Sequence, residues 1–222
     1  MNSFDKAFLV LETVILQNGT PVTPTIASQR TGIHIVTCTR ILAMLAEKGY
    51  LTQQSSRQGY IAGPMSVALT TRPNPYTQLA NAARDPIRAL AQMIHAQINL
   101  SVICGKERVM IVCEYPPSYG FWQQFRFPCE YGEAATDRLL SACRKDAACP
   151  ERAKILKEKR LDYVEESTSL IIMGNLVMAK DFPPAAFGYG FHSSLGVEKV
   201  REASNRTARQ IEQNLNPKSR IF

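Results

Sequence analysis

The sequence has no run of about 18 consecutive apolar residues, so it offers no candidate for a membrane-spanning helix. Its opening, Met1-Asn2-Ser3-Phe4-Asp5-Lys6, lacks the charged-then-apolar plan of an export signal. The cysteines Cys38, Cys104, Cys113, Cys129, Cys143 and Cys149 are scattered, and none forms a CxxC pair. Such cysteines, with no export signal read at the start, are expected to be reduced thiols, and the expected compartment is the cytoplasm of a bacterial cell. Catalytic signatures are missing as well. There is no GxSxG, no P-loop, no GxGxxG and no HExxH, and His34, His95 and His192 lie far apart. Cys129 with His192 is the one nucleophile–base pair to weigh, and Cys129, Cys143, Cys149 and His192 the one zinc set. Neither has the local spacing its chemistry needs. Cys143, beside Arg144 and Lys145, leaves thiol redox sensing open. The expectation is a protein that is not an enzyme and needs no cofactor.

What is present is globular. Of 222 residues, 45% are hydrophobic and 20% charged, enough for one large domain or two ordinary ones. Basic residues number 26 against 19 acidic, a formal net of +7. That surplus permits a polyanionic partner without demanding one. The pattern along the chain decides.

Ser3 is placed to cap a helix whose apolar positions are Phe4, Ala7, Phe8, Leu11, Val14 and Ile15. Gly19 stops it. Thr23-Pro24 restarts a short helix, with Thr as cap and Pro at the first position, and Thr31-Gly32 ends it. A third helix over 36–47 would bury Cys38, Ile41, Leu42 and Leu45 and present Val36, Thr37, Thr39, Arg40 and Ala43. Two short strands, Gly49-Tyr50-Leu51 and Tyr60-Ile61-Ala62, flank a polar turn over 52–59. A short helix, a glycine turn, a helix with one polar face and a hairpin make a winged helix-turn-helix. In that geometry the second helix of the pair enters the major groove of DNA. Thr37, Thr39 and Arg40, with His34, Ile35 and Val36 at the helix start, are expected to face bases and phosphates. Thr25 and Gln29, and Arg57 and Gln58 in the wing, are expected to touch backbone.

This ordered run resembles the N-terminal domain of the IclR family of bacterial transcriptional regulators. The residues that carry it are Ser3 to Glu12, Ile26-Ala27, Thr31-Gly32-Ile33, Thr37 to Leu42, Leu45, Lys48-Gly49-Tyr50-Leu51 and Tyr60 to Pro64. The family commonly begins its recognition helix with a Pro-Lys-Ser-like segment. Here His34-Ile35-Val36 stands in that place, so the bases read are expected to differ.

Pro73-Asn74-Pro75 marks a boundary. The expected organisation is a DNA-binding domain over 1–72, a linker helix over 73–84 and an effector-binding and oligomerisation domain over 85–222. Asp85-Pro86 reads as the cap and first turn of a new helix, with Ile87, Leu90 and Met93 or Ile94 inward. Strands are expected over 98–104, 109–115, 121–127, 170–179 and 185–193, and helices over 133–143, 151–160 and 197–215. The fold class is therefore α+β, a winged helix joined by a helical linker to an antiparallel-sheet domain.

His95 to Val102 and Gly132 to Ala142 also resemble the family, more weakly. The family's small-molecule pocket opens between the sheet and the loop that begins the Gly132–Ala142 helix. Carried over, the resemblance points to Glu133, Ala134 and Ala135 at the helix start, to Met173 on one strand, and to Gly190 and His192 on the next. A free helix N-terminus favours a carboxylate, whereas Glu133 would repel one. Trp122, Phe127, Cys129 and Tyr163 would line an apolar pocket for an aromatic or neutral ligand, or be ordinary core. The partners expected are a double-stranded DNA operator, an aromatic or organic-acid effector and a second copy of the chain, as a homodimer or dimer of dimers. The alternative is a ligand-binding or protein-docking module whose DNA head has decayed. The feature favouring it is the apolar Ile35-Val36 pair on the groove face.

Overall fold

The computed structural model describes residues 1–17, 19–55, 58–105, 107–116, 129–130, 134–165 and 170–216, without the side chains of 129–130 and 163–165. The chain divides into two units, the first over residues 1–72 and the second from Pro73 onward.

In the first unit, α1 (Ser3–Ile15) is closed by a capping box on Asn2, not Ser3. The Asn2 side chain accepts from the Asp5 amide at 2.9 Å, and the Asp5 carboxylate accepts from the Asn2 amide at 3.0 Å. The helix buries Val10 and Val14, while Phe4 and Phe8 are 78% and 63% exposed. It has apolar residues on two faces, and the valine face is the one that meets the core. The helices α2 (Pro24–Thr31) and α3 (Ile35–Glu47) add Ala27, Cys38, Leu42 and Leu45, and Ile41 is half-buried. Strands β1 (Leu51–Ser55) and β2 (Gly59–Ala62) pair antiparallel, longer than the sequence suggests and with a correspondingly shorter turn. Val22, just before α2, bridges Tyr60 with both backbone bonds, Val22 N to Tyr60 O at 2.8 Å and Tyr60 N to Val22 O at 2.9 Å. The short helix α4 (Pro64–Thr70) follows.

The second unit begins with α5 (Pro75–Ile94), which runs unbroken through Asp85-Pro86. Pro86 lacks the amide that would bond the Ala82 carbonyl one turn back. Asn214 supplies the missing donor, its Nδ2 donating to Ala82 O at 2.9 Å. Leu79, Ala83, Ile87, Leu90, Ala91 and Ile94 are buried, and Met93 is exposed. Among the described residues six antiparallel strands follow: β3 (Ile98–Cys104), β4 (Glu107–Glu114), β5 (Cys129–Glu130), β6 (Arg160–Glu165), β7 (Leu170–Val177) and β8 (Ala185–His192). Their order in the sheet is β5-β4-β3-β8-β7-β6. On one face, α5 and α8 (Val197–Leu215) pack on Leu100, Met173, Phe187 and Tyr189. On the other, α6 (Ala135–Cys143) and α7 (Arg152–Glu158) pack on Leu161, Leu176 and Ala186. The strand expected over 121–127 lies outside the described residues, and β6 was not anticipated.

Candidate nucleic-acid interface and effector site

The α2–α3 pair is held by its own side chains. The Thr23 hydroxyl accepts from the Ile26 amide at 3.3 Å, and Pro24 occupies the first helical position. Gly32 ends α2 in the left-handed region at φ 68°, its amide donating to Ser28 O at 2.9 Å. The Ser28 hydroxyl donates to Ile33 O at 2.7 Å, and the Thr31 hydroxyl donates to Ala27 O at 2.7 Å while accepting from the Ile33 amide at 3.2 Å. Ile33 and Cys38 are buried between the helices. The turn is thus cross-linked on both sides, and α3 starts in a fixed direction.

That start is capped by His34, whose Nδ1 accepts from the Val36 amide at 3.4 Å. In a neutral imidazole this leaves Nε2 as the donor. His34, Ile35, Val36, Thr39 and Arg40 are exposed, and Thr37 is half-buried. The Thr39 hydroxyl donates to Ile35 O at 2.9 Å, so its one hydrogen is spent within the helix. Thr25 and Gln29 are exposed on α2, and Gln58 is exposed in the wing, where its amide donates to the Ser55 hydroxyl at 3.0 Å. Arg57 lies outside the described residues. Exposed residues that the sequence reading passed over are Arg30 at the end of α2 and Thr52, Gln53, Gln54 and Ser55 along β1. The polar stretch over 52–59 is expected as turn, whereas residues 52–55 continue the strand and expose this polar edge.

Between α1 and α3 lies an open groove of about 610 Å³. Phe4, Ala7, Ile41 and Met44 line it together with Lys6 and Arg40.

The residues expected at an effector site fall on both faces of the second sheet. Ala135 is buried and Ala134 exposed at the start of α6. The helix sits close on the sheet because two strand positions are glycine. A Cβ on Gly174 would meet Leu139 Cδ1 at 2.8 Å and Ala135 Cβ at 3.2 Å, and one on Gly188 would meet Thr136 Cγ2 at 3.0 Å. Gly190 pairs with Ile172, two residues along β8 on the same face, and Tyr163 is in register with Ile172. Met173 does not join them. It is one residue from Ile172, so the strand's period of two turns it to the α5–α8 side, where it is fully buried. His192 is exposed at the end of β8, where its Nδ1 accepts from the Ser194 amide at 3.3 Å. Trp122, Phe127 and Glu133 lie outside the described residues. Cys129 is described in backbone only, in register with Arg108.

Two polar groups on the α6 face were not anticipated. Arg108 pairs with Asp137 in the first turn of α6 and donates through Nη1 to the Ser101 hydroxyl at 3.3 Å. Asp137 is 2% exposed and the Arg108 side chain 12%, so the pair is largely withdrawn from water and each charge answers the other. Farther along, Asn99 and Cys113 are in register with each other, and Asn99 with Gly188. The Cys113 thiol donates to Asn99 Oδ1 at 2.9 Å, and Gln97 Nε2 donates to the same oxygen at 2.9 Å and to Cys113 Sγ at 3.3 Å. Burial pushes the Cys113 thiol up, against the lowering influence of bonds to Tyr115 and Gln97, so it stays protonated. Sequence could have flagged Asp137, an acidic residue in a helix start carried over as ligand-binding, but not its partner 29 positions away.

No family model matches the sequence, and no curated protein matches it. Solved structures do. An IclR homolog from Microbacterium hydrocarbonoxydans, complexed with 4-hydroxybenzoate, superposes with a TM-score of 0.73 at 14% identity, covering 97% of this chain and 100% of that one. An IclR transcriptional regulator from Alicyclobacillus acidocaldarius gives 0.64 at 16% identity, covering 96% and 98%. Thermotoga maritima IclR gives 0.60 at 17%, covering 97% and 99%. Among the described residues no helix is long and apolar enough to cross a membrane. From the capped helix pair of the first unit to the six-stranded sheet of the second, the chain has the fold of the IclR-family transcriptional regulators along nearly its whole length.

Proposed function

We propose that the chain is a DNA-binding transcription regulator whose operator affinity is set by a small molecule bound on the α6 face of the second unit. The observation that carries the first half is the start of α3: a helix fixed by a cross-linked turn, with His34, Ile35, Val36, Thr39 and Arg40 exposed together. Arg40 is the residue suited to a bidentate contact with guanine, and Thr25, Gln29, Arg57 and Gln58 are suited to phosphate contacts. The effector reading is supported by the 4-hydroxybenzoate complex of the Microbacterium structure and by the polar groups around the start of α6. An effector acts here only through unequal affinity for two states of the regulator. Two-fold symmetry would pair two heads on a pseudo-palindromic operator.

The test is a mobility shift with the DNA upstream of the gene. Binding should fall steeply with salt, as phosphate contacts require. Arg40→Ala should weaken it by about 1–3 kcal/mol with the fold intact. An unchanged affinity removes Arg40 from the reading set. A second reading, a protein-docking head, is favoured by the apolar groove between α1 and α3. Salt-insensitive or absent DNA binding would select it.

A further inference from the structure

The first turn of α3 is poor in free hydrogen-bonding groups, at the place where a groove-reading helix meets base edges. Nδ1 of His34 is taken by the Val36 amide, and the Thr39 hydroxyl hydrogen is taken by Ile35 O. Beside His34 and the half-buried Thr37, the turn exposes two aliphatic side chains, Val36 at 58% and Ile35 at 40%. Single exposed apolar side chains are ordinary, but two adjacent β-branched residues at a helix start are a defined surface. Branching at Cβ holds χ1 nearly fixed in a helix, so their methyl groups point in set directions and lose little freedom on contact. Val36 also shares a helix stripe with Arg40, four residues on.

In the major groove, the apolar feature on the edges of the four bases is the 5-methyl group of thymine. Resting on the DNA-binding reading above, we infer that Val36 and Ile35 are specificity-determining residues that read thymine methyl groups, with Arg40 reading a base or phosphate one turn farther along. Four residues of helix rise about 6 Å, and successive base pairs are about 3.4 Å apart. The thymine therefore lies within about two base pairs of the Arg40 contact. The aliphatic pair, which by itself argues for a decayed head, becomes a reading element.

The experiment uses the full chain and a duplex that it enriches from a random-sequence pool. Each thymine of that duplex is replaced in turn by deoxyuridine, which removes the methyl group and leaves base pairing and every hydrogen-bonding group in place. One or two positions in each half-site should lose about fourfold in affinity, the effect of one buried methyl group. Val36→Ala should bind the thymine and uridine duplexes alike at the affected position, and Ile35→Ala should do so at a neighbouring one. Both side chains are exposed, and an unchanged thermal melt checks that the variants fold. Enrichment followed by equal binding of every uridine duplex overturns this inference alone. Discrimination that survives in both variants overturns it too. Failure to enrich any duplex overturns the regulator reading, and this inference with it.

Discussion

Gly59 and Gly32 both sit at positive φ, and their surroundings make different predictions. A Cβ on Gly32, at φ 68°, would meet nothing within 4 Å, so Gly32→Ala meets backbone strain alone, about 1–2 kcal/mol. A Cβ on Gly59, at φ 93°, would stand 2.6 Å from Val22 O and 2.9 Å from Thr23 N. Those are backbone atoms, in the segment that bridges the wing to the start of α2 and cannot step aside. Gly59→Ala should therefore cost more, about 2–5 kcal/mol, and loosen the wing. Denaturant midpoints of the two variants give the order, and an equal loss would mean that the Val22–Tyr60 bridge gives way easily. Asp162 supplies a pH prediction at the same scale. Burial by itself would raise its pKa, but the hydrogen bond from Arg201 and the charges of Arg160 and Arg201 outweigh that and hold it below the usual carboxylate value. A carboxylate depressed on folding contributes stability that is fully present above its unfolded pKa, about 3.9, and is lost as pH falls through the folded value. Asp162→Asn should lower the melting temperature at neutral pH and lose less than the parent on acidification below about pH 4. Parallel melting curves across that window would show that Arg201 gains nothing from Asp162.

At the scale of the element, α5 shows a proline accommodated from a distance. Pro86 leaves the Ala82 carbonyl without its helical donor, and Asn214, on α8, donates to it instead. The two changes should be coupled. Asn214→Ala should cost about 1 kcal/mol in the parent and clearly less in a Pro86→Ala background, where the helix amide returns. A double-mutant cycle by thermal or denaturant unfolding measures the difference, and additive effects would separate the two sites. The same pair shows where a sequence stops being legible. Asp85-Pro86 has every local mark of a helix start, and what carries the helix through it lies 132 positions from Ala82. In α1 the stripe Phe4-Phe8-Ile15 is as regular as Val10-Val14, and periodicity alone does not say which face meets the core. Met173 lies on the α5–α8 side of β7, away from Gly190, and a sequence does not show this because one residue of offset inverts a strand. By contrast β3 and α8 match their expected limits, because a continuous apolar strand and a long amphipathic helix declare themselves locally. The helix-turn-helix was legible for the same reason, since Thr23, Pro24 and Gly32 act on their own neighbours. The Arg108–Asp137 pair was not, because it is made only when β4 and α6 come together.

For the whole molecule, the face of α1 that the first unit leaves uncovered carries Phe4, Phe8 and Ile15, all exposed. A contiguous aromatic and aliphatic face on a small head is costly to leave in water, and a second copy of the chain is the occupant that the proposed two-fold operator requires. Joining two heads turns the second half-site contact into an intramolecular one, at an effective concentration on the order of millimolar. Phe4→Glu with Phe8→Glu leaves Val10 and Val14 in place, so the head should still fold. If α1 holds the dimer together, sedimentation should show monomers, and affinity for a two-half-site duplex should fall by more than about tenfold while a single half-site is bound as before. If instead the second unit holds the dimer, the variant should sediment as the parent does, and any loss on the duplex would then reflect how the paired heads are spaced. A variant that is monomeric yet keeps full operator affinity would show that one head suffices, and the two-fold operator would have to be abandoned.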